Sequence, residues 1–168
     1  MPHESLMILA TLAGGRLKAS GALLVTAESC TGGWVAQSIT AVSGSSDWFE
    51  RGFVTYSNES KQELLGVRAE TLARAGAVSE DTAREMALGA LGASRGSIAV
   101  AVTGVAGPSG GTPAKPVGMV CFAWAGKTGA VRSETRHFTG DRERVRRQSV
   151  MRALQGVIEW LDAEAPRD

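Results

Sequence analysis

Short apolar runs alternate with helical patterns along the whole chain, and this alternation constrains the fold more than any other feature. The runs ALLVTAE at 22–28, FVTYS at 53–57 and SIAVAVTG at 97–104 predict strands. Segments with apolar residues three and four positions apart lie between them and predict helices. Strands that alternate with helices at these lengths favour an α/β fold, a three-layer α/β/α sandwich around a mixed, mainly parallel sheet.

The end of the sheet is predicted to be antiparallel. The apolar segments at 119–125 and 130–138 are separated by GKTG, which is typical of a hairpin turn. Asp141 then precedes a long amphipathic segment and is predicted to cap a final helix.

Composition limits the classes of function. With 168 residues, of which 43% are hydrophobic, the chain is predicted to form a single domain over 1–168. A net charge of +1 favours neither nucleic acid nor an anionic membrane as a partner. The apolar runs are shorter than the roughly 20 residues of a membrane span. Two cysteines and no recognisable secretory leader predict a cytoplasmic protein.

The stretch TAESCTGGW at 26–34 concentrates polar side chains where a strand passes into a helix. Ser29 and Thr31 stand directly before Gly32 and Gly33, which allow a ligand to approach the backbone amides of the first helical turn. The pattern predicts a cradle for an anion. The alternative is that Ser29 or Thr31 only caps the helix.

A second group of polar residues lies between 44 and 61. Ser45 and Ser46 are in a predicted loop, Tyr56 is at the end of a strand, and Lys61 is in the first turn of the next helix. The helix dipole disfavours an ammonium there and lowers the pKa of the lysine, and burial would act in the same direction. A lysine with a lowered pKa can take a proton from a serine hydroxyl. The alternative is an exposed lysine without catalytic function.

A glycine-rich loop follows the strand that ends at Thr103 and Gly104. Its spacing matches neither the phosphate-binding loop that ends in Gly-Lys-Ser/Thr nor G-x-G-x-x-G, so nucleoside triphosphate chemistry is disfavoured. The loop is predicted either to form one wall of a site or to be merely mobile.

The final helix predicts an anion partner at its start. Arg142 and Arg146 are one turn apart, and the apolar stripe that follows places Arg146 on or near the inward face. Guanidinium groups in such positions bind phosphates or carboxylates through paired hydrogen bonds, although a solvated basic turn would have the same sequence. With two histidines and no Cys-x-x-Cys or His-Glu-x-x-His pattern, the chain predicts no metal site.

Long motifs follow one another in a fixed order along nearly the whole chain. They are TAESCTGGWVAQSIT, GSSDWFERGFVTYSNESKQELLGV, GAVSEDTAREMALGAL, VTGVAGPSGGTPAKPVGMVCFAWA and FTGDRERVRRQ. Together these motifs resemble the CinA C-terminal domain family, and in particular its stand-alone nicotinamide-nucleotide amidohydrolases.

The resemblance implies hydrolysis of nicotinamide mononucleotide to nicotinic acid mononucleotide and ammonia, without a cofactor. The family uses a serine and a lysine for this reaction. The matching positions imply Ser46 as nucleophile and Lys61 as base, with Tyr56 to orient or relay a proton and Ser29 as the second candidate nucleophile.

The remaining assignments concern the substrate. The following residues are predicted to bind it: Thr31, Gly32 and Gly33 around the reacting amide or the phosphate, Thr103 and Gly104 on the opposite wall, Arg142 and Arg146 at the phosphate, and Ser45 at a part of the substrate that is not assigned. A homo-oligomer is also expected from the family. Two other hypotheses stay open, a non-catalytic nucleotide-binding module and an interaction domain associated with competence or DNA damage.

Overall fold

A computed structural model describes residues 2–165; residue 1 and residues 166–168 of the predicted 1–168 domain lie outside the described part. Within this part, helices and strands alternate for most of the chain. Their bounds are α1 Pro2–Ser20, β1 Leu24–Glu28, α2 Trp34–Thr40, β2 Phe49–Val54, α3 Asn58–Leu65, α4 Ala69–Ala75, α5 Glu80–Gly92, β3 Ile98–Gly104, β4 Met119–Gly126, β5 Val131–His137 and α6 Arg142–Glu164, with a short 3-10 turn at Ser45–Asp47 before β2.

The strands form one mixed sheet in the order β2-β1-β3-β4-β5. Strand β1 lies between β2 and β3 and is parallel to both. Strands β4 and β5 continue the sheet in antiparallel pairing, and the predicted hairpin joins them. The predicted α/β class and mixed sheet are confirmed.

Two apolar cores, one on each face of the sheet, make the three layers. Helices α1, α2 and α6 cover one face, where β3 and β4 contribute larger side chains such as Phe122 and Trp124. Helices α3 and α5 cover the other face, where the same strands contribute alanines. Side chains alternate between the two faces along each strand. Because helices cover both faces, a central strand carries apolar side chains on each of them.

This topology decides where a site can form. Because β2, β1 and β3 run in the same direction, their carboxyl ends lie at one edge of the sheet. The loops that leave them start α2, start α3 and form the glycine-rich segment 105–118. In open α/β sheets, ligands bind outside the carboxyl ends of the parallel strands.

Among the described helices, none is both long and apolar enough to cross a membrane.

Candidate active site

A cavity of about 350 Å³ lies at the carboxyl ends of the three parallel strands. Among residues 2–165, the charged side chains that line it are Lys61 and Arg142, and none of the acidic side chains lines it. The other polar lining residues are Ser29, Tyr56, Asn58, Thr103 and Ser109. The cavity therefore favours an anionic or polar ligand.

Lys61 and Ser29 meet inside this cavity. The Lys61 Nζ lies 2.9 Å from the Ser29 Oγ and also donates to the backbone carbonyls of Thr55, at 2.8 Å, and Tyr56, at 3.4 Å. The lysine is 1% exposed, and burial lowers its pKa below the ordinary value. Helix α3 starts where it was predicted, just before Lys61. The pKa of Lys61 is lowered, as predicted, and burial is the main cause.

The local structure explains how these two side chains reach each other. Ser29 follows the last residue of β1, and its amide donates to Val102 of the neighbouring strand β3 at 2.9 Å. Ser57 caps α3 through a bond from the Ser60 amide, so Lys61 leaves the first turn of that helix toward the end of β1. Parallel pairing of β1 with β2 brings the two chain segments together.

The expected pairing of Ser46 with Lys61 is wrong. Ser45 and Ser46 lie in the 3-10 turn before β2, whereas Lys61 contacts the carbonyl of Thr55, just after that strand. Strand β2 has six residues, and at about 3.3 Å per residue it separates its two ends by roughly 20 Å. Neither Ser45 nor Ser46 lines the cavity. Their predicted roles at the site are therefore corrected, since both residues lie near the other end of β2.

The predicted anion cradle at the start of α2 is already occupied by a side chain of the protein. The Glu28 carboxylate accepts bonds from the amides of Val35, at 2.8 Å, and Ala36, at 3.1 Å, and from the Thr31 hydroxyl, at 2.6 Å. A carboxylate is stabilised there by the free amides and the dipole of the first turn. The helix start therefore holds Glu28 rather than a ligand.

Thr31, Gly32 and Gly33 accordingly build the turn and do not line the cavity, which corrects their predicted contact with the substrate. Gly32 and Gly33 have φ of +59° and +104°, in the left-handed region where glycine is favoured. The Gly32 amide donates to the Ser29 carbonyl at 3.0 Å, which closes the turn.

Arg146 also contacts this turn and not the cavity. Its Nε donates to the Cys30 carbonyl and its Nη2 to the Thr31 carbonyl, both at 3.1 Å, and its guanidinium lies 5.4 Å from the Trp34 ring centroid. Arg146 is absent from the cavity lining. Its predicted contact with a phosphate is therefore corrected to a contact with backbone carbonyls.

Arg142 lines the cavity, and its predicted contact with a phosphate stays a prediction. Its Nη1 donates to the Gly107 carbonyl at 2.8 Å, and its Nη2 donates to the Tyr56 hydroxyl at 3.3 Å. The arginine thus connects the glycine-rich loop to the segment after β2. The Tyr56 side chain is 64% exposed and contacts Arg142, while its backbone carbonyl contacts Lys61.

Thr103 and Gly104 form part of the wall formed by β3 and the segment that follows it. The Thr103 hydroxyl donates to the Ala77 carbonyl at 2.9 Å and so holds the segment before α5 against β3. At Gly104 a Cβ atom would lie 2.8 Å from the carbonyl oxygen of Met119, so β4 leaves no room for a side chain there.

Sequence reasoning overlooked the roles of Glu28 and Cys30. Glu28 was visible as the acidic residue directly before Ser29, but nothing local indicated that it turns back to α2. Cys30 lines the cavity, and burial, with a smaller contribution from the Glu28 charge, raises the pKa of its thiol to about 12. A thiol with this pKa stays protonated near neutrality and is a poor nucleophile.

No group of three histidine, cysteine or acidic side chains suited to a metal ion occurs within the described part of the chain.

The chain is similar to several known proteins. The sequence model of the CinA C-terminal domain matches residues 7–161. "Nicotinamide-nucleotide amidohydrolase PncC" of Escherichia coli strain K12 is 56% identical over 155 residues, which are 92% of this chain and 94% of that protein. The protein of the same name from Pseudomonas putida is 52% identical over 156 residues, or 93% and 97% of the two chains. A crystal structure of the competence/damage inducible protein CihA from Agrobacterium tumefaciens has a TM-score of 0.90 at 44% identity and covers 94% of this chain and 96% of its own. With a family model that matches most of its length and close relatives that it covers almost completely, the chain belongs to the CinA C-terminal domain family.

Proposed function

We propose that this protein hydrolyses the carboxamide of nicotinamide mononucleotide to give nicotinic acid mononucleotide and ammonia, as a step in pyridine nucleotide recycling. The names of the close relatives support the reaction class. The observation that carries the mechanism is the 2.9 Å contact between Lys61 Nζ and Ser29 Oγ in the cavity. It supports Ser29 as the nucleophile in place of Ser46.

Acylation begins when neutral Lys61 takes the proton of the Ser29 hydroxyl. The Ser29 Oγ forms a bond to the carboxamide carbon, and the carbonyl electron pair moves to oxygen. Protonated Lys61 then gives its proton to the amide nitrogen, the C–N bond breaks, and ammonia leaves. A water that Lys61 deprotonates attacks the resulting ester, and the Ser29 Oγ regains a proton as the acid leaves.

The lowered pKa of Lys61 suits this cycle, because it raises the fraction of neutral amine near neutral pH. The Cys30 amide is the proposed donor to the oxyanion. Cys30 follows the proposed nucleophile and lines the cavity, and its amide donates to no backbone carbonyl within residues 2–165.

We place the phosphate of the substrate at Arg142 and the glycine-rich loop. Ala106, Gly107, Ser109 and Gly110 line the cavity, and their backbone amides donate to no acceptor in the described part of the chain. Successive amides in a loop with left-handed glycines bind anions well, and a guanidinium adds paired donors.

Other parts of the proposal follow from the family and the sequence. The protein acts as a single domain in the cytoplasm. It forms a homo-oligomer and needs no cofactor. Tyr56 assists by orienting Arg142 at the cavity. Size-exclusion chromatography with light scattering tests the oligomeric state.

The central experiment compares ammonia release from nicotinamide mononucleotide by Ser29→Ala, Lys61→Arg and Ser46→Ala proteins of equal thermal stability. Loss of the base lowers the rate by about 10²- to 10⁴-fold, and Ser29→Ala should be at least as severe. Ser46→Ala is the matched control and should keep the rate of the unmodified protein. Full activity of Ser29→Ala, with loss in Ser46→Ala, would refute the assignment. Nucleotide binding without any ammonia release would support a non-catalytic binding module instead.

A further inference from the structure

The turn that carries Ser29 is held by two charged side chains that do not line the cavity. On its inner side, Glu28 is 1% exposed and accepts bonds from the Thr31 hydroxyl and from the amides of Val35 and Ala36. Glu28 thereby ties the turn to the first turn of α2. A structural cap needs one such bond, whereas this carboxylate makes three.

Arg146 holds the outer side of the same turn. It comes from α6, far along the chain, and donates to the carbonyls of Cys30 and Thr31 at 3.1 Å each. The Trp34 ring, 5.4 Å from the guanidinium carbon, supports the side chain. Arginine is suited to this place because its planar group donates two bonds in a fixed geometry.

These bonds determine how the backbone after Ser29 is oriented. In a trans peptide the carbonyl and the next amide point in opposite directions. Because the Cys30 carbonyl points to Arg146, the Thr31 amide points away from it. This peptide group directly follows the Ser29–Cys30 peptide group, which carries the Cys30 amide, so fixing it restricts the turn on which Ser29 lies.

We propose that Glu28 and Arg146 act as a clamp that positions Ser29 for reaction with Lys61. They are positioning residues and not catalytic residues, since neither lines the cavity. The inference rests on the proposed function, in which the Ser29 Oγ attacks the carboxamide. A displacement of about 1 Å of a reacting group can lower a rate by about 10²-fold.

The chain contains matched controls for both members of the clamp. Arg132, like Arg146, lies over tryptophan rings, 5.2 Å from that of Trp124, and donates to a backbone carbonyl, that of Gly156 at 3.2 Å. Glu80, like Glu28, is a carboxylate that accepts side-chain hydroxyls, with bonds of 2.9 and 2.8 Å from β5. Neither control residue lines the cavity.

The experiment measures kcat and KM for nicotinamide mononucleotide, the pH profile of kcat and the thermal stability of Arg146→Lys, Glu28→Gln, Arg132→Lys and Glu80→Gln. Lysine keeps the charge at 146 but cannot hold both carbonyls in the same geometry, and glutamine turns an amide donor toward the donors of α2. We expect kcat to fall by about 10- to 100-fold in the two clamp variants. KM should change little. In the pH profile of kcat, the limb assigned to Lys61 should keep its midpoint. The two controls should keep kcat even where they lose similar stability.

Two results would overturn the clamp. One is that Arg146→Lys and Arg132→Lys have the same kcat. The fold should tolerate the change at 146, because this position is only half-buried. The other is that the loss appears in KM for the nucleotide and not in kcat, which would assign Arg146 to substrate binding. Ser29→Ala, measured in parallel, separates the two proposals. If it keeps ammonia release, the proposed mechanism fails and the clamp with it; if it loses ammonia release while the clamp variants match their controls, the clamp alone fails.

Discussion

Replacement of Arg142 by alanine should weaken recognition of the nucleotide phosphate specifically. Two donor nitrogens of its guanidinium are engaged, by the Gly107 carbonyl at 2.8 Å and the Tyr56 hydroxyl at 3.3 Å. The other N–H groups of the fork remain able to bind an anion in the cavity. None of the acidic side chains in the described part of the chain lines the cavity, so none competes with the phosphate for these groups.

The expected loss follows from the kind of bond removed. One hydrogen bond to a charged group contributes about 1.5–3 kcal/mol, which corresponds to roughly a 10- to 150-fold lower kcat/KM for nicotinamide mononucleotide. Nicotinamide riboside lacks the phosphate, so Arg142→Ala should change its kcat/KM far less. The two substrates and the two proteins form a cycle that isolates the contact between arginine and phosphate.

The assay is ammonia release with both substrates over a range of concentrations. Arg144→Ala is the matched control, because Arg144 is exposed in the same turn of α6 and does not line the cavity. Equal losses with the nucleotide and the riboside would refute the reasoning. They would indicate that Arg142 acts only by holding Gly107 and the loop.

Four further predictions concern the rest of the site. Burial lowers the pKa of Lys61, and the proposed mechanism uses its neutral amine as the base, so kcat should rise with pH along a limb centred below the ordinary value of 10.5; a limb at or above that value would contradict the assignment. Because the pKa of Cys30 is about 12, iodoacetamide at pH 8 should leave this thiol unmodified in the folded protein, as mass spectrometry can establish; rapid alkylation would refute the burial argument. Thr31→Val removes a buried bond of 2.6 Å to Glu28, and the free energy of unfolding should fall by about 1.5–3 kcal/mol, which lowers Tm by roughly 3–12 °C; an unchanged Tm in a circular dichroism melt would count against this bond. In the proposed mechanism Ser29 and Lys61 supply nucleophile and base, so ammonia release should survive dialysis against EDTA, and activity lost there and restored by zinc or magnesium would argue for a metal-dependent reaction.

The sequence by itself determined the fold class and several local features of the site. Apolar spacing depends on neighbouring residues only, so it predicted the alternating strands and helices and the antiparallel hairpin. The helix start before Lys61 was local as well, whereas the burial that lowers the pKa of this lysine arises from tertiary packing. The cap at Asp141 and the place of Arg142 just after it follow from the same kind of pattern.

Only the tertiary structure decided which side chains meet. Ser46 is nearer to Lys61 along the chain than Ser29, yet β2 separates Ser46 from the lysine, while parallel pairing brings the ends of β1 and β2 together. Arg146 likewise meets the carbonyls of Cys30 and Thr31 because α6 packs on the same face of the sheet as α2. Contacts of this kind depend on strand order and helix packing, which arise from the whole core, and no spacing within a single segment encodes them.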